Sequence, residues 1–193
     1  MLLKKFISFF VITVIFFLSI AANVNNSSPE KIENFTLPDY NGKEHSLSDY
    51  KESKAIVIIF VSTQCPVSNA YNSRMESLAK EYGSKDVTFL GINSNKAESS
   101  EEIKEHAEEN GFTFTILKDK NNVIADEFDA SFTPEVYVLN GNNEILYHGR
   151  IDNSKKEADV ETQDLKNALN EILAGKPVTN SSTKAFGCTI KRV

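Results

Sequence analysis

The hydrophobic pattern changes period partway along the chain. "AIVIIFV" (Ala55 to Val61) is apolar throughout, rich in β-branched residues and without alternation. That pattern predicts a central strand covered on both faces. From Val67 the period becomes helical: Tyr71, Met75, Leu78, Ala79 and Tyr82 share one face, and Gly83 follows where a helix would stop. "VTFLGIN" (Val87 to Asn93) predicts a second buried strand. Ser99 or Ser100, followed by Glu101 and Glu102, predicts an N-capped helix with favourable first-turn charges, running to about Asn110 before Gly111.

Further along, "FTFTIL" predicts a third strand and Val123 to Phe128 a short helical turn. "EVYVL" and "EILYHG" flank the turn Asn140 to Asn143 as an antiparallel hairpin. A final helix is expected over Asp164 to Ala174, its apolar face made by Leu165, Ala168, Leu169, Ile172 and Leu173, with Gly175 ending it. Upstream, "ENFTLPDYNGKEHSLSDYK" holds two short extended stretches around Asn41-Gly42, a turn dipeptide. Strands alternating with helices define an α/β fold: a central sheet, mainly parallel, flanked by helices, with the closing hairpin adding antiparallel edge strands and an N-terminal β-hairpin extension.

Composition excludes some partners. The net charge of -6, with no basic cluster in the body of the chain, argues against nucleic acid. Hydrophobic content of 40% is ordinary for a globular domain and argues against overall disorder. The N-terminus stands apart: Lys4 and Lys5, an apolar run from Phe6 to Ile20, then Ala21 and Ala22. Residues 1–22 read as a secretory signal peptide, with an uncleaved membrane anchor as the other reading. Residues 23–33 read as a linker, 34–175 as the domain and 176–193 as a polar tail whose end, "FGCTIKRV", reads as an extended segment, with docking on the body left open by the sequence. The expected location is outside the cytoplasm, periplasmic or otherwise extracytoplasmic, with membrane contact only through the N-terminal segment. Disulfides are permitted there.

The candidate chemistry is a sulfur. Cys65 stands where the first buried strand becomes a helix, and Pro66 beside it suits the first helical position. Unpaired N–H groups and the positive end of the helix dipole would stabilise a thiolate there and make it nucleophilic at neutral pH. The bland alternative is an inert, buried cysteine. Cys188, the other cysteine, lies far away in sequence, and spacing alone does not say whether the two meet.

The quoted motifs also carry a resemblance. "FTLPDYNGKEHSLSDYK", the strand leading into "CPVS", and "SFTPEVYVL" followed by "ILYHGRID" resemble the thioredoxin-like superfamily in its peroxiredoxin-like (AhpC/TSA, redoxin) branch. The likeness runs from about Phe35 to Ala174. Cys65-Pro66, Tyr71, Arg74, Ile92 to Asn95 and the terminal Gly187-Cys188-Thr189-Ile190-Lys191 resemble one group within it. It implies a thioredoxin-like fold, a cis-proline turn at Thr133-Pro134 beside the reactive sulfur, and an antioxidant-type thiol oxidoreductase. Cys65 would then attack a peroxide or a protein disulfide, with an external thiol or thioredoxin-like reductant and no cofactor.

Departures from that pattern matter for mechanism. In "CPVS" Ser68 replaces the second cysteine of C-x-x-C, which excludes a dithiol cycle within the motif. Ser62 stands where peroxiredoxins place a hydroxyl three residues ahead of the cysteine, whereas Ile58 stands at the expected proline. Arg74 and Arg150 are candidates for charge support, or for ordinary salt bridges; Arg74 lies about 13 Å from Cys65 along a continuous helix. Cys188 either resolves an oxidised Cys65 or docks the tail. No metal site is expected from the scattered His45, His106 and His148. The alternative function is a redoxin-fold binding or assembly module that holds a partner peptide or thiol without turnover.

Overall fold

The computed structural model describes residues 30–193. The segment read as signal peptide or anchor lies outside the described residues, as does most of the linker. Two short strands, β1 (Thr36–Pro38) and β2 (Glu44–Ser46), pair antiparallel around Asn41-Gly42, where Gly42 takes φ 83°. Next come β3 (Ala55–Phe60), α1 (Pro66–Asn69), α2 (Asn72–Gly83), β4 (Val87–Asn93), α3 (Ser100–Glu109) and β5 (Thr115–Lys118). The chain continues with α4 (Val123–Glu127), β6 (Phe132–Thr133), β7 (Glu135–Leu139), β8 (Ile145–Gly149), α5 (Asp164–Leu173) and β9 (Cys188–Thr189).

The central sheet has the order β5-β4-β3-β7-β8. β3 pairs parallel to β4 and antiparallel to β7, so it is shielded on both edges as well as both faces. This explains its unbroken apolar run. Ala55, Val57 and Ile59 enter one core layer with Met75, Tyr82, Leu165 and Leu169 from α2 and α5. Ile56, Ile58 and Phe60 enter the opposite layer with Leu47, Ile124, Phe128 and Tyr137. The two-residue period is present, but both faces are dry, so hydropathy does not reveal it.

Four expectations need adjustment. The helix expected to run unbroken from Val67 divides at Ala70 and Tyr71, where Ala70 and Tyr71 N–H groups donate to carbonyls three residues back. Tyr71 turns its ring into the core there, and its hydroxyl donates to Asp152 at 3.0 Å. Gly83 is the last residue of α2 rather than its stop signal. The third strand begins at Thr115, because Phe112 and Phe114 pack on each other, centroids 4.8 Å apart, ahead of the sheet. The closing hairpin also does not lie wholly at the edge: β7 inserts beside β3, and only β8 is an edge strand.

Both ends of the described chain are pinned to the sheet. Ile32 is buried, and its N–H donates to Asn143 O at 3.0 Å, inside the stretch read as linker. Beyond α5 the tail runs along β8, where Thr183 N–H donates to His148 O and His148 N–H to Ser181 O, each at 2.9 Å. Gly149 allows this approach, since a Cβ there would lie 2.1 Å from Thr183 Oγ1. The tail ends as β9, antiparallel to β6.

Ile58→Ala should test the two-layer core. Ile58 is fully buried, so a loss of about 2–5 kcal/mol in denaturant unfolding is expected.

Candidate active site

The site forms where β3 ends. Cys65 is extended at φ -82° and ψ 116° and is the N-cap of α1, with Pro66 at the first helical position. Ser68 N–H points at the Cys65 sulfur at 3.3 Å. The Thr133 carbonyl oxygen lies 3.3 Å from the same sulfur, and Thr133-Pro134 is a cis peptide bond. Opposite Thr133 in the β6–β9 pair stands Cys188, bonded to Cys65 across a Cα–Cα separation of 5.9 Å. Both cysteines are thus drawn to one point by a helix start, a proline turn and the tail.

Gly187 makes the close approach of the tail feasible. A Cβ there would meet Thr133 O at 2.1 Å, a backbone atom with no room to yield. The tail beyond Cys188 is held to the body at several successive residues. Ile190 is buried and its N–H donates to Ser131 O at 3.0 Å. Lys191 N–H donates to Asn95 Oδ1 at 2.8 Å, while Lys191 O accepts from Lys96 N–H at 2.9 Å. Val193 N–H donates to Asn122 Oδ1 at 2.9 Å.

Beneath the cysteine loop lies a carboxylate that sequence reasoning missed. Glu98 is 3% exposed, and its oxygens accept from Ser62 Oγ at 2.5 Å, Thr63 N at 2.8 Å and Asn93 Nδ2 at 2.5 Å. Ser62 Oγ in turn accepts from Cys65 N–H at 3.0 Å. Glu98 therefore holds the loop that presents Cys65, through the hydroxyl singled out in the sequence. Lys118 supplies a nearby positive charge; its ammonium donates to Asn93 Oδ1 at 3.0 Å and Asn95 O at 2.7 Å. Burial holds the Lys118 pKa below the ordinary lysine value, against the pull of Glu98 and Asp119.

A second missed carboxylate braces the proline turn. Glu135 follows Pro134 and accepts from Ser131 N–H at 2.7 Å, Phe132 N–H at 2.8 Å and His148 Nε2 at 2.7 Å. Burial alone would raise its pKa, but the His148 bond and the two backbone amides outweigh it and leave it lowered. His148 itself stacks on Tyr137 with ring centroids 4.2 Å apart, so it braces Glu135 rather than entering the cysteine cleft.

The two arginines expected as charge support point elsewhere. Arg74 donates to Asp152 at 2.6 Å, Ser154 O at 2.8 Å, Lys155 O at 2.7 Å and Ala70 O at 3.2 Å. Its guanidinium lies 3.7 Å over the Tyr71 ring, which fixes the α1–α2 break. Arg150 pairs with Asp164 at 2.8 Å at the start of α5. Both are structural ion pairs.

This geometry, a cysteine capping a helix at the end of a central strand beside a cis-proline turn, defines a thioredoxin-like redoxin domain. The chain belongs to the AhpC/TSA family, whose profile matches residues 29–148. It is 27% identical over 125 residues to thiol-disulfide oxidoreductase ResA of Geobacillus kaustophilus, covering 65% of this chain and 68% of that protein. It is 32% identical over 111 residues to thioredoxin-like protein YneN of Bacillus subtilis, covering 57% of this chain and 64% of YneN. Among solved structures it resembles an uncharacterized conserved protein from Geobacillus kaustophilus, with 31% identity, TM-score 0.80, 86% of this chain and 92% of that one.

Two tests follow from this geometry. Gly187→Ala should push β9 off the proline turn, so that the Cys65–Cys188 bond opens at a lower ratio of reduced to oxidised glutathione than in wild type, read by intact mass. Glu135, with its lowered folded-state pKa, contributes stability that is fully present above the ordinary glutamate pKa and is lost as pH falls through the lowered one. Denaturant unfolding across about pH 5 to 3 should show this loss in wild type and a shallower one in Glu135→Gln.

Proposed function

We propose that this protein is an exported thiol oxidoreductase cycling between a Cys65–Cys188 disulfide and the corresponding dithiol, with a protein disulfide or dithiol as substrate. The observation that carries the reading is the pairing of the helix-capping Cys65 with Cys188 on a docked tail. The tail supplies the second sulfur that "CPVS" lacks. In the reducing direction the Cys65 thiolate attacks a substrate disulfide; the S–S bond breaks and one substrate sulfur leaves as a thiolate. The Cys188 thiolate then attacks the Cys65 sulfur of the mixed disulfide, releases the second substrate thiolate and closes Cys65–Cys188. An external thiol or thioredoxin-like reductant restores the dithiol, and the same steps reversed oxidise a substrate dithiol.

Peroxide reduction is the second reading, supported by the Ser62 hydroxyl ahead of Cys65 and by the family. Disulfide exchange is favoured because peroxide cleavage calls for a cation at the sulfur, and Arg74, Arg150 and Arg192 all bind carboxylates elsewhere. Export rests on the sequence of residues 1–22, and a paired cysteine couple suits an oxidising compartment.

Intact mass after mixing the reduced protein with oxidised glutathione or with one equivalent of hydrogen peroxide distinguishes the readings. Exchange predicts loss of two hydrogens in wild type, a trapped glutathione adduct in Cys188→Ser and no adduct in Cys65→Ser. Oxidation by peroxide much faster than by oxidised glutathione would move the assignment to a peroxidase. Inertness to both would leave the redoxin-fold binding module.

A further inference from the structure

The tail occupies a groove that reads more than a cysteine. Two of its side chains enter specific surroundings. Ile190, two residues beyond Cys188, is 5% exposed and joins the core layer of Phe35, Phe128 and Ala130. Arg192, four residues beyond, donates from Nε to Asp126 Oδ1 at 2.8 Å and from Nη2 to Ala130 O at 2.6 Å. Thr189, between Cys188 and Ile190, is exposed, and so is Lys191, between Ile190 and Arg192, whose ammonium reaches only Thr189 at 3.4 Å. The remaining contacts are to the backbone: Ser131 O, Asn95 Oδ1, Lys96 N–H and Asn122 Oδ1 bind main-chain atoms of residues 190 to 193. Such contacts hold any extended segment, while alternate side chains set the choice.

We infer that this groove selects substrate segments of the form Cys-x-apolar-x-basic, for which residues 188–193 are the built-in occupant. The inference rests on the exchange activity proposed above. When Cys65 is bonded to a substrate cysteine, Cys188 is a free thiol and its strand is held to the site by noncovalent contacts alone, which a substrate segment of the same pattern can replace. The substrate segment then takes the place of β9, its cysteine opposite Thr133. The chemistry is the exchange already described: Cys65–S bonds to the substrate sulfur, and the sulfur formerly bonded to that cysteine leaves as thiolate.

The full chain carrying Cys188→Ser tests this. The probe is the peptide Gly-Cys-Thr-Ile-Lys-Arg-Val with its thiol activated as the thionitrobenzoate mixed disulfide. The readout is the rate of thionitrobenzoate release, with intact mass verifying the peptide adduct on Cys65. The tail competes equally with every peptide, so rate ratios are unaffected by it. Replacing the peptide isoleucine with aspartate should slow the reaction about tenfold or more, because the apolar pocket is lost. Glutamate in place of arginine should slow it only about two- to fivefold, and less at high salt, as expected for an exposed ion pair. Asp126→Lys should invert the preference between the arginine and glutamate peptides. Peptides reacting within about twofold of one another, while the peptide-free reagent dithiobisnitrobenzoate still reacts normally at Cys65, would overturn the selectivity and leave the exchange reading standing. Lack of reaction with that reagent as well would overturn both.

Discussion

The site depends on one close approach: the backbone of the tail against the backbone of the proline turn. Thr133 and Cys188 face each other in a pair only two residues long, and a side chain at position 187 would not fit between them. Two other constraints make this contact possible. The Gly149 gap lets the tail pass along the edge strand, and the Glu135 carboxylate ties the Ser131 and Phe132 amides ahead of the turn. Without them the sulfurs would have no reason to meet, because the bridge spans 123 positions of sequence.

That long span sets an energetic problem. Closing a loop of this size is entropically costly in the unfolded chain, and a crosslink there contributes on the order of 4–5 kcal/mol in the chain-entropy model. A couple that turns over must give up this term in every cycle without losing the fold. The pairing of Ser181 to Thr183 with His148, ahead of Cys188, meets that need: it keeps the tail on the edge strand even when residues 188–193 leave the groove. The body of the domain is mostly secured without the tail, which adds only Ile190 to one core layer and the partly buried Val178 and Phe186 to the other.

The sheet was legible in the sequence because it follows from hydrophobic period. The unbroken "AIVIIFV" run predicted a doubly covered strand, and β3 has neighbours on both edges. "EVYVL" carried the same signal, since all its positions are buried, but reading it as half of an edge hairpin missed its place beside β3. Cys65 was legible from the strand-to-helix switch and Pro66. Glu98 was not, because nothing in "KAESSEE" separates a buried carboxylate from the solvated Glu101; its role arises only when β4 and the cysteine loop bring four donors to it. The arginines failed for the converse reason. A sequence gives no account of competing partners, and Asp152 and Asp164 claim them first.

Those partners also bear on which chemistry the sulfur performs. A thiolate at Cys65 is stabilised by the Ser68 amide and the first turn of α1, which suffices for attack on a disulfide, whose leaving group is itself a stable thiolate. Cleaving an O–O bond demands stabilisation of a developing oxyanion, and a positioned cation or a set of donors normally supplies it. Here the donors nearest Cys65 are committed: the Ser62 hydroxyl donates to Glu98, and the Thr63 and Gln64 amides face the same carboxylate. Glu98 brings negative charge beneath the loop, which disfavours a second oxyanion above it. What the loop offers instead is a rigid thiol beside a surface that binds extended backbone, the arrangement suited to exchange with another polypeptide.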